Sequence, residues 1–439
     1  MHETGSRNPD ALLSRELGVR QLASNVFNYT VGSGIFALPA IAVAYLGSAA
    51  PFAYVACAVV MALVVLCFAE AGSRVASTGG PYAYVETALG PMIGFVAGCM
   101  VFSTGLSAAA GVSSLIARSI LALFPGAPAA LANVLIVLLV AGLVTLNLRG
   151  IKNGARVLEG ITVAKLLPLL AFVCLGVWFI QPANLVITEV PNLATVLSTA
   201  GIVIFAFSGI EGAMIPSGEV KDSARTVPRA VILALGAATL LYLAVQFVAL
   251  GIMGLDLAHD RTTPLATAAG TIFGPVGRTV IIVGAVVSMF GYLSANVLSE
   301  PRGLFALSRD GFLPKVFTQV HPRFHTPNVA IVVYGFLVGA IALSGTFEQL
   351  AVFANLAALT VYFLCAISVL VLRKRNVRTE GEPFLLPGGP LIPIAACVAI
   401  AGLFYQTVQR DQFVAWLVVL VLVFGLYGIR AWRLRALRK

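Results

Sequence analysis

Charge is scarce in this chain. Only 10% of its 439 residues are Asp, Glu, Lys or Arg, against 59% hydrophobic, and the mean hydropathy is +0.97. A soluble domain carries roughly a quarter charged residues. The shortage excludes a water-soluble protein and points to an all-α polytopic membrane protein, whose helices satisfy their own backbone in lipid. Histidine is also rare. His2, His259, His321 and His325 all lie outside the apolar segments, so no zinc-like cluster is available. The six cysteines (Cys57, Cys67, Cys99, Cys174, Cys365 and Cys397) lie in apolar segments and form no CxxC pair. They read as small core hydrophobes without a disulfide or metal framework. There is no HExxH, no serine triad and no pair of intramembrane aspartates, which argues against a membrane enzyme, and no cofactor is expected. The first twenty residues lack the apolar region of a signal peptide, so the first span is expected to stay in place as a signal anchor.

Long apolar runs are what the chain does have. Twelve spans are expected, near 21–46, 50–72, 90–121, 130–148, 158–180, 194–216, 229–254, 279–302, 328–346, 349–372, 390–408 and 412–432. The net charge of +10 could suggest a nucleic-acid partner, but its distribution indicates otherwise. Alternate loops from the N-terminus carry Arg7, Arg15 and Arg20, then Arg74, then Arg149, Lys152 and Arg156, then Lys221, Arg225 and Arg229, then Arg302, Arg309, Lys315 and Arg323, then Arg373, Lys374, Arg375 and Arg378, then the tail from Arg430 to Lys439. The opposite loops hold only Arg118, Arg261, Arg278 and Arg410. The positive-inside rule places both termini in the cytoplasm, in a multi-pass cell (inner) membrane protein with an even number of spans. The charge thus reports topology, with weak attraction to membrane lipid headgroups as a by-product.

Two stretches carry the chemistry. Thr30-Val31-Gly32-Ser33-Gly34-Ile35-Phe36-Ala37-Leu38-Pro39 places two glycines around a serine in mid-membrane. Each glycine loses about 1 kcal/mol of helix preference relative to alanine, and no water is present to satisfy freed backbone groups. A break there should line a cavity, with N–H groups aimed at something negative. The alternative is a glycine face packed on a neighbouring helix. Phe205-Ala206-Phe207-Ser208-Gly209-Ile210-Glu211-Gly212 repeats the tripeptide Ser-Gly-Ile and adds a carboxylate. Two interrupted helices at corresponding places in two halves point to a transporter's central site.

Other features are less decisive. The loop Thr78-Gly79-Gly80-Pro81-Tyr82-Ala83-Tyr84 is either an ordinary turn or a partly inserted segment with its tyrosines at headgroup depth. Lys165 lies within a span, about 13 Å beyond Arg156 at 1.5 Å per residue, near the limit for snorkelling to the interface. Residues Pro264 to Phe273 look weakly helical and could form a lid. The last two spans carry no polar motif and read as peripheral packing.

The chain resembles the amino acid–polyamine–organocation transporters. The likeness rests on Gly32-Ser33-Gly34-Ile35-Phe36, Gly79-Gly80-Pro81-Tyr82-Ala83-Tyr84 and Phe205 to Glu211. It rests also on Glu219-Val220-Lys221 through Pro228-Arg229, and on Ser308-Arg309-Asp310-Gly311 through Pro314. It runs from about Leu17 to Phe317 and is weak over the last four spans. The resemblance implies a cytoplasmic segment at 1–20, two inverted five-helix repeats at 21–180 and 181–373, and two peripheral helices with a cytoplasmic tail at 374–439. It implies alternating-access transport of amino acids and related amines. By position, the substrate carboxylate would meet the Ser33 hydroxyl and the Gly34 and Ile35 N–H groups. The ammonium would meet carbonyls of Thr30, Phe205 and Ser208. Phe205 resembles an aromatic gate, and Glu211 an acid tied to gating and protonation in arginine–agmatine exchangers. Lys165 resembles a fifth-span lysine whose ammonium takes the place of a sodium ion and could load and release a proton. Arginine–agmatine exchangers lack this lysine, so the chain mixes features of two branches.

The favoured function is therefore a secondary amino acid transporter, proton-coupled and symporting. An exchanger or exporter is the alternative, and a transporter-like channel or sensor is more remote. A sugar or drug carrier built from two six-helix halves would need a long central loop, and the loop after the sixth span is short. Apart from Glu211 no acidic wall is legible, which favours neutral or broad-range amino acids.

Overall fold

The computed structural model describes residues 17–436 except 76–78, 125, 150–153, 216–219, 310, 322–323, 325, 379–380, 387 and 409. Outside these residues lie most of the N-terminal segment, His2, His325, Thr78, Glu219 and Asp310, so those parts of the motifs have no structural account. Among the described residues the helices run, in order, α1 (Val19–Thr30), α2 (Gly34–Leu46), α3 (Pro51–Arg74), α4 (Pro81–Leu89), α5 (Pro91–Leu121), α6 (Leu131–Leu148), α7 (Gly154–Gly176) and α8 (Leu193–Phe207). They continue with α9 (Ile210–Ala213), α10 (Ser223–Met253), α11 (Pro264–Arg309), α12 (Asn328–Ser344), α13 (Phe347–Lys374), α14 (Leu391–Thr407) and α15 (Arg410–Ala436). The one β-contact among them is an isolated bridge between Leu17 and Val220, with the Lys221 N–H donating to the Leu17 carbonyl at 3.0 Å.

Eight spans among the described residues are long and apolar enough to cross a membrane, counting α8 with α9 as one, or nine if the bent pair α1–α2 is one span. Shorter apolar helices cover 164–179, α12 and α14. The protein is thus an all-helical polytopic membrane protein. Proline opens α3, α4 and α5, where its missing N–H is no loss. Thr346 and Gln349 cap α13 reciprocally. Within α11 the backbone breaks at Gly274 (φ 64°), so 264–273 forms a separate helical piece before the long span.

Lipid supplies no hydrophobic drive between helices, so close packing and polar contacts hold the bundle. Among the long spans α5 and α13 are the most enclosed and pack on each other, while α15 buries almost none of its residues. α14 packs one face on α3, α8 and α13, with Thr407 set against the bare backbone of Gly201, and leaves Leu391, Val398 and Tyr405 exposed on the other. The loop before α5 is helical as α4, and Tyr84 lies fully buried in the bundle. Its ring meets Phe68 edge-on at 6.5 Å, and Gly72 leaves room for its hydroxyl.

One buried ionic cluster ties α3 to α13. Glu70 is fully buried and accepts Arg74 Nε at 3.0 Å, Arg373 Nε at 2.6 Å and the Leu386 N–H at 3.1 Å.

Candidate functional site

The first break lies between α1 and α2, whose axes differ by 47°. The Val31 N–H still reaches the Phe27 carbonyl at 2.8 Å, but the Gly32 N–H turns to Thr30 at 2.9 Å instead of continuing the helix to Asn28. The Asn28 and Val31 carbonyls are thereby released. Lys165 Nζ donates to both, at 3.0 and 2.8 Å, with the side chain 1% exposed. The lysine therefore does not snorkel to the interface. The Ser33 carbonyl beside its two acceptors already accepts the Phe36 N–H at 3.0 Å.

The second break lies between α8 and α9, at Gly209 with φ 115°. A Cβ at Gly209 would come within 2.9 Å of the Tyr29 carbonyl oxygen on α1. A Cβ at Gly34 would come within 2.7 Å of Ala206 Cα on α8. The two Ser-Gly-Ile tripeptides thus interlock, each glycine admitting the backbone of the other broken helix. The Tyr242 hydroxyl bridges the breaks, 2.8 Å from the Thr30 carbonyl and 2.6 Å from that of Ala206. A hydroxyl has one proton, so it satisfies one of the two at a time.

Between the breaks is a cavity of about 30 Å³, lined in part by Thr30, Ser33, Gly34, Phe205, Ser208 and Glu211. Six of the eight residues singled out from sequence meet there. Ile35 and Lys165 do not line it; Lys165 sits behind it, on the end of α1. The Ser33 hydroxyl is buried and has no partner among the described residues. The hydroxyls of Thr30 and Ser208 turn back onto their own helices, at Val26 and Ile204. Phe205 meets the Phe347 ring edge-on at 5.4 Å. Glu211 Oε2 accepts the Tyr362 hydroxyl at 2.7 Å and the Gly209 N–H at 3.0 Å. The positive end of α2 and the carbonyl-bearing end of α8 thus face one small space, an arrangement that suits a zwitterion. The space holds about two waters, so a larger guest enters only when the helices part.

Sequence reasoning missed the far wall. Thr104 and Gly105 of α5, Tyr292, Asn296 and Glu300 of α11, and Ala354 of α13 also line the cavity. Glu300 carried the same signal as Glu211, an acid at the edge of an apolar run, but its neighbours Pro301 and Arg302 made it read as a span end.

A family profile described as amino acid permease matches residues 17–429. The serine/threonine exchanger SteT of Bacillus subtilis is 30% identical, over 95% of this chain and 97% of its own. The methylthioribose transporter of the same organism is 29% identical, over 95% and 94%. Its branched-chain amino acid permease BcaP is 27% identical, over 95% and 93%.

Proposed function

Because the chain belongs to the amino acid permease family, we propose that it is a secondary amino acid transporter of the cell membrane, working by alternating access and coupled to protons. The observation that carries this reading is the cavity between two interlocked helix breaks, where an unpartnered Ser33 hydroxyl stands beside the first turn of α2. In this reading the substrate carboxylate takes Ser33 and the free N–H groups of Gly34 and Ile35. The ammonium takes carbonyls at the ends of α1 and α8, those of Thr30, Phe205 and Ser208. Phe205 closes over the bound molecule. The chain crosses the membrane twelve times with both termini cytoplasmic, residues 21–180 and 181–373 form the two repeats, and 374–439 adds the last two helices and the tail.

Lys165 is the coupling group. As an ammonium it holds the Asn28 and Val31 carbonyls; losing its proton would release the end of α1 and let the broken helix hinge. Glu211, tied to the Gly209 N–H, would sense the same movement from the other break. An ammonium at this place also leaves no oxygen-lined cage for sodium. Glu300 in the wall removes the ground for favouring neutral side chains. Proteoliposomes loaded with unlabelled amino acids, given labelled ones outside, test the reading. Counterflow of at least one amino acid, and accumulation under a proton gradient but not a sodium gradient, is the expected result. The relative that is an exchanger makes obligatory exchange the competing outcome, recognised by counterflow without net accumulation.

A further inference from the structure

Two buried acids line the central cavity, and they differ in what they meet. Glu211 is held by Tyr362 and the Gly209 N–H. Glu300 is 5% exposed, and no hydrogen-bond donor or cation among the described residues reaches its carboxylate. Arg302 turns instead onto the Leu298 carbonyl. The acid lies against bare backbone at Gly105, where a Cβ would meet its Cγ at 2.9 Å. A buried carboxylate without a partner is costly, and intramembrane acids are retained for a task. Tyr29 and Tyr292 line the same space with their rings edge to face, 6.2 Å apart, and aromatic faces attract cations.

We propose that Glu300 is the subsite for a positively charged side-chain group, so that the substrates are amino acids bearing a second amine or a guanidinium. This rests on the reading of the cavity as an amino acid site. The α-carboxylate and α-ammonium lie at the breaks, and the side chain extends toward α5 and α11. Its cation meets the carboxylate that the protein leaves unanswered, and the complex there is charge-balanced.

The test uses counterflow in proteoliposomes with three labelled probes: lysine, norleucine, which lacks only the terminal amine, and cadaverine, which is lysine without its carboxylate. The wild type should exchange lysine over norleucine by more than about tenfold. In Glu300→Gln that ratio should collapse toward one, while Glu300→Asp keeps the preference. Gly105→Ala, whose new methyl displaces the carboxylate, should also lower the ratio, and it carries the test if Glu300→Gln does not insert. Exchange of norleucine without lysine overturns the subsite and leaves the amino acid reading standing. Exchange of cadaverine alone overturns the amino acid reading and retains Glu300 as an amine site. Exchange of none of the three overturns the subsite, and counterflow with the other amino acids then decides the amino acid reading by itself. Equal loss of lysine and norleucine exchange in monodisperse Glu300→Gln protein assigns Glu300 to structure and overturns the proposal.

Discussion

Glu70 and Glu300 are both buried acids in one bundle, treated in opposite ways. Glu70, near the end of α3, is answered by Arg74, Arg373 and the Leu386 N–H. Glu300, on α11, faces the cavity and meets no donor among the described residues. The ring of donors around Glu70 fastens helices that must stay together. The bare carboxylate of Glu300 is complete only when something arrives. For these two acids saturation, and not burial, marks which is scaffold and which is site.

Substitutions at the two acids should therefore diverge most. Glu70→Ala leaves Arg74 and Arg373 confronting each other in the bundle, and the stability loss should be about 3–5 kcal/mol, read from thermal unfolding in detergent. Glu300→Gln under the same conditions should shift stability by less than about 1 kcal/mol, or raise it, because it removes an unpaired charge. Equal destabilisation by the two variants would break the comparison.

Lys165 sharpens it next, as a buried charge both satisfied and in use. Lys165→Met keeps the stem but leaves the Asn28 and Val31 carbonyls without their donor, a loss of about 2–3 kcal/mol. Counterflow at equal pH should persist in part, and a proton gradient should no longer drive accumulation. A variant with the wild-type pH profile would make the lysine a purely structural clasp.

The breaks offer a smaller contrast. Gly209→Ala puts a side chain at φ 115° and against the Tyr29 carbonyl, costing about 1–2 kcal/mol and stopping transport. Gly32→Ala should be tolerated in thermal stability, since nothing lies within 3.8 Å of the added methyl.

The smallest effect belongs to the segment before α11. Partial burial would raise the Asp260 carboxyl, but the Thr263 N–H, the Thr267 hydroxyl, the Thr262 N–H and the Thr263 hydroxyl outweigh it and hold its pKa below the ordinary range. A depressed folded pKa gives stability that is present above the unfolded value, near 4, and lost as pH falls through the folded one. Asp260→Asn should flatten unfolding temperature against pH below about 4, by less than about 1 kcal/mol.

The central architecture was legible in the sequence because glycine in an apolar run has few other uses. The repeated Ser-Gly-Ile located both breaks, and a lysine deep in a span announced a buried partner. The reason for one glycine was not legible. The space that Gly34 leaves is filled by Ala206 of the other broken helix. Gly34→Val would therefore damage helix packing and cannot isolate a substrate contact. The far wall was hidden for another reason: Thr104, Asn296 and Glu300 reach the cavity only through the relative rotation of packed helices, which no local pattern encodes. The close seating of α14 depends on small residues such as Gly201 on α8.

The most direct test places a reporter in the cavity without touching the proposed contacts. Ala108 lines it from α5, so Ala108→Cys in a background with the six cysteines replaced can be labelled by a small membrane-permeant thiol reagent. An amino acid that the protein exchanges should slow that labelling in proportion to its saturation of exchange. Unchanged labelling at saturating exchange would place the substrate elsewhere and contradict the assignment of the cavity.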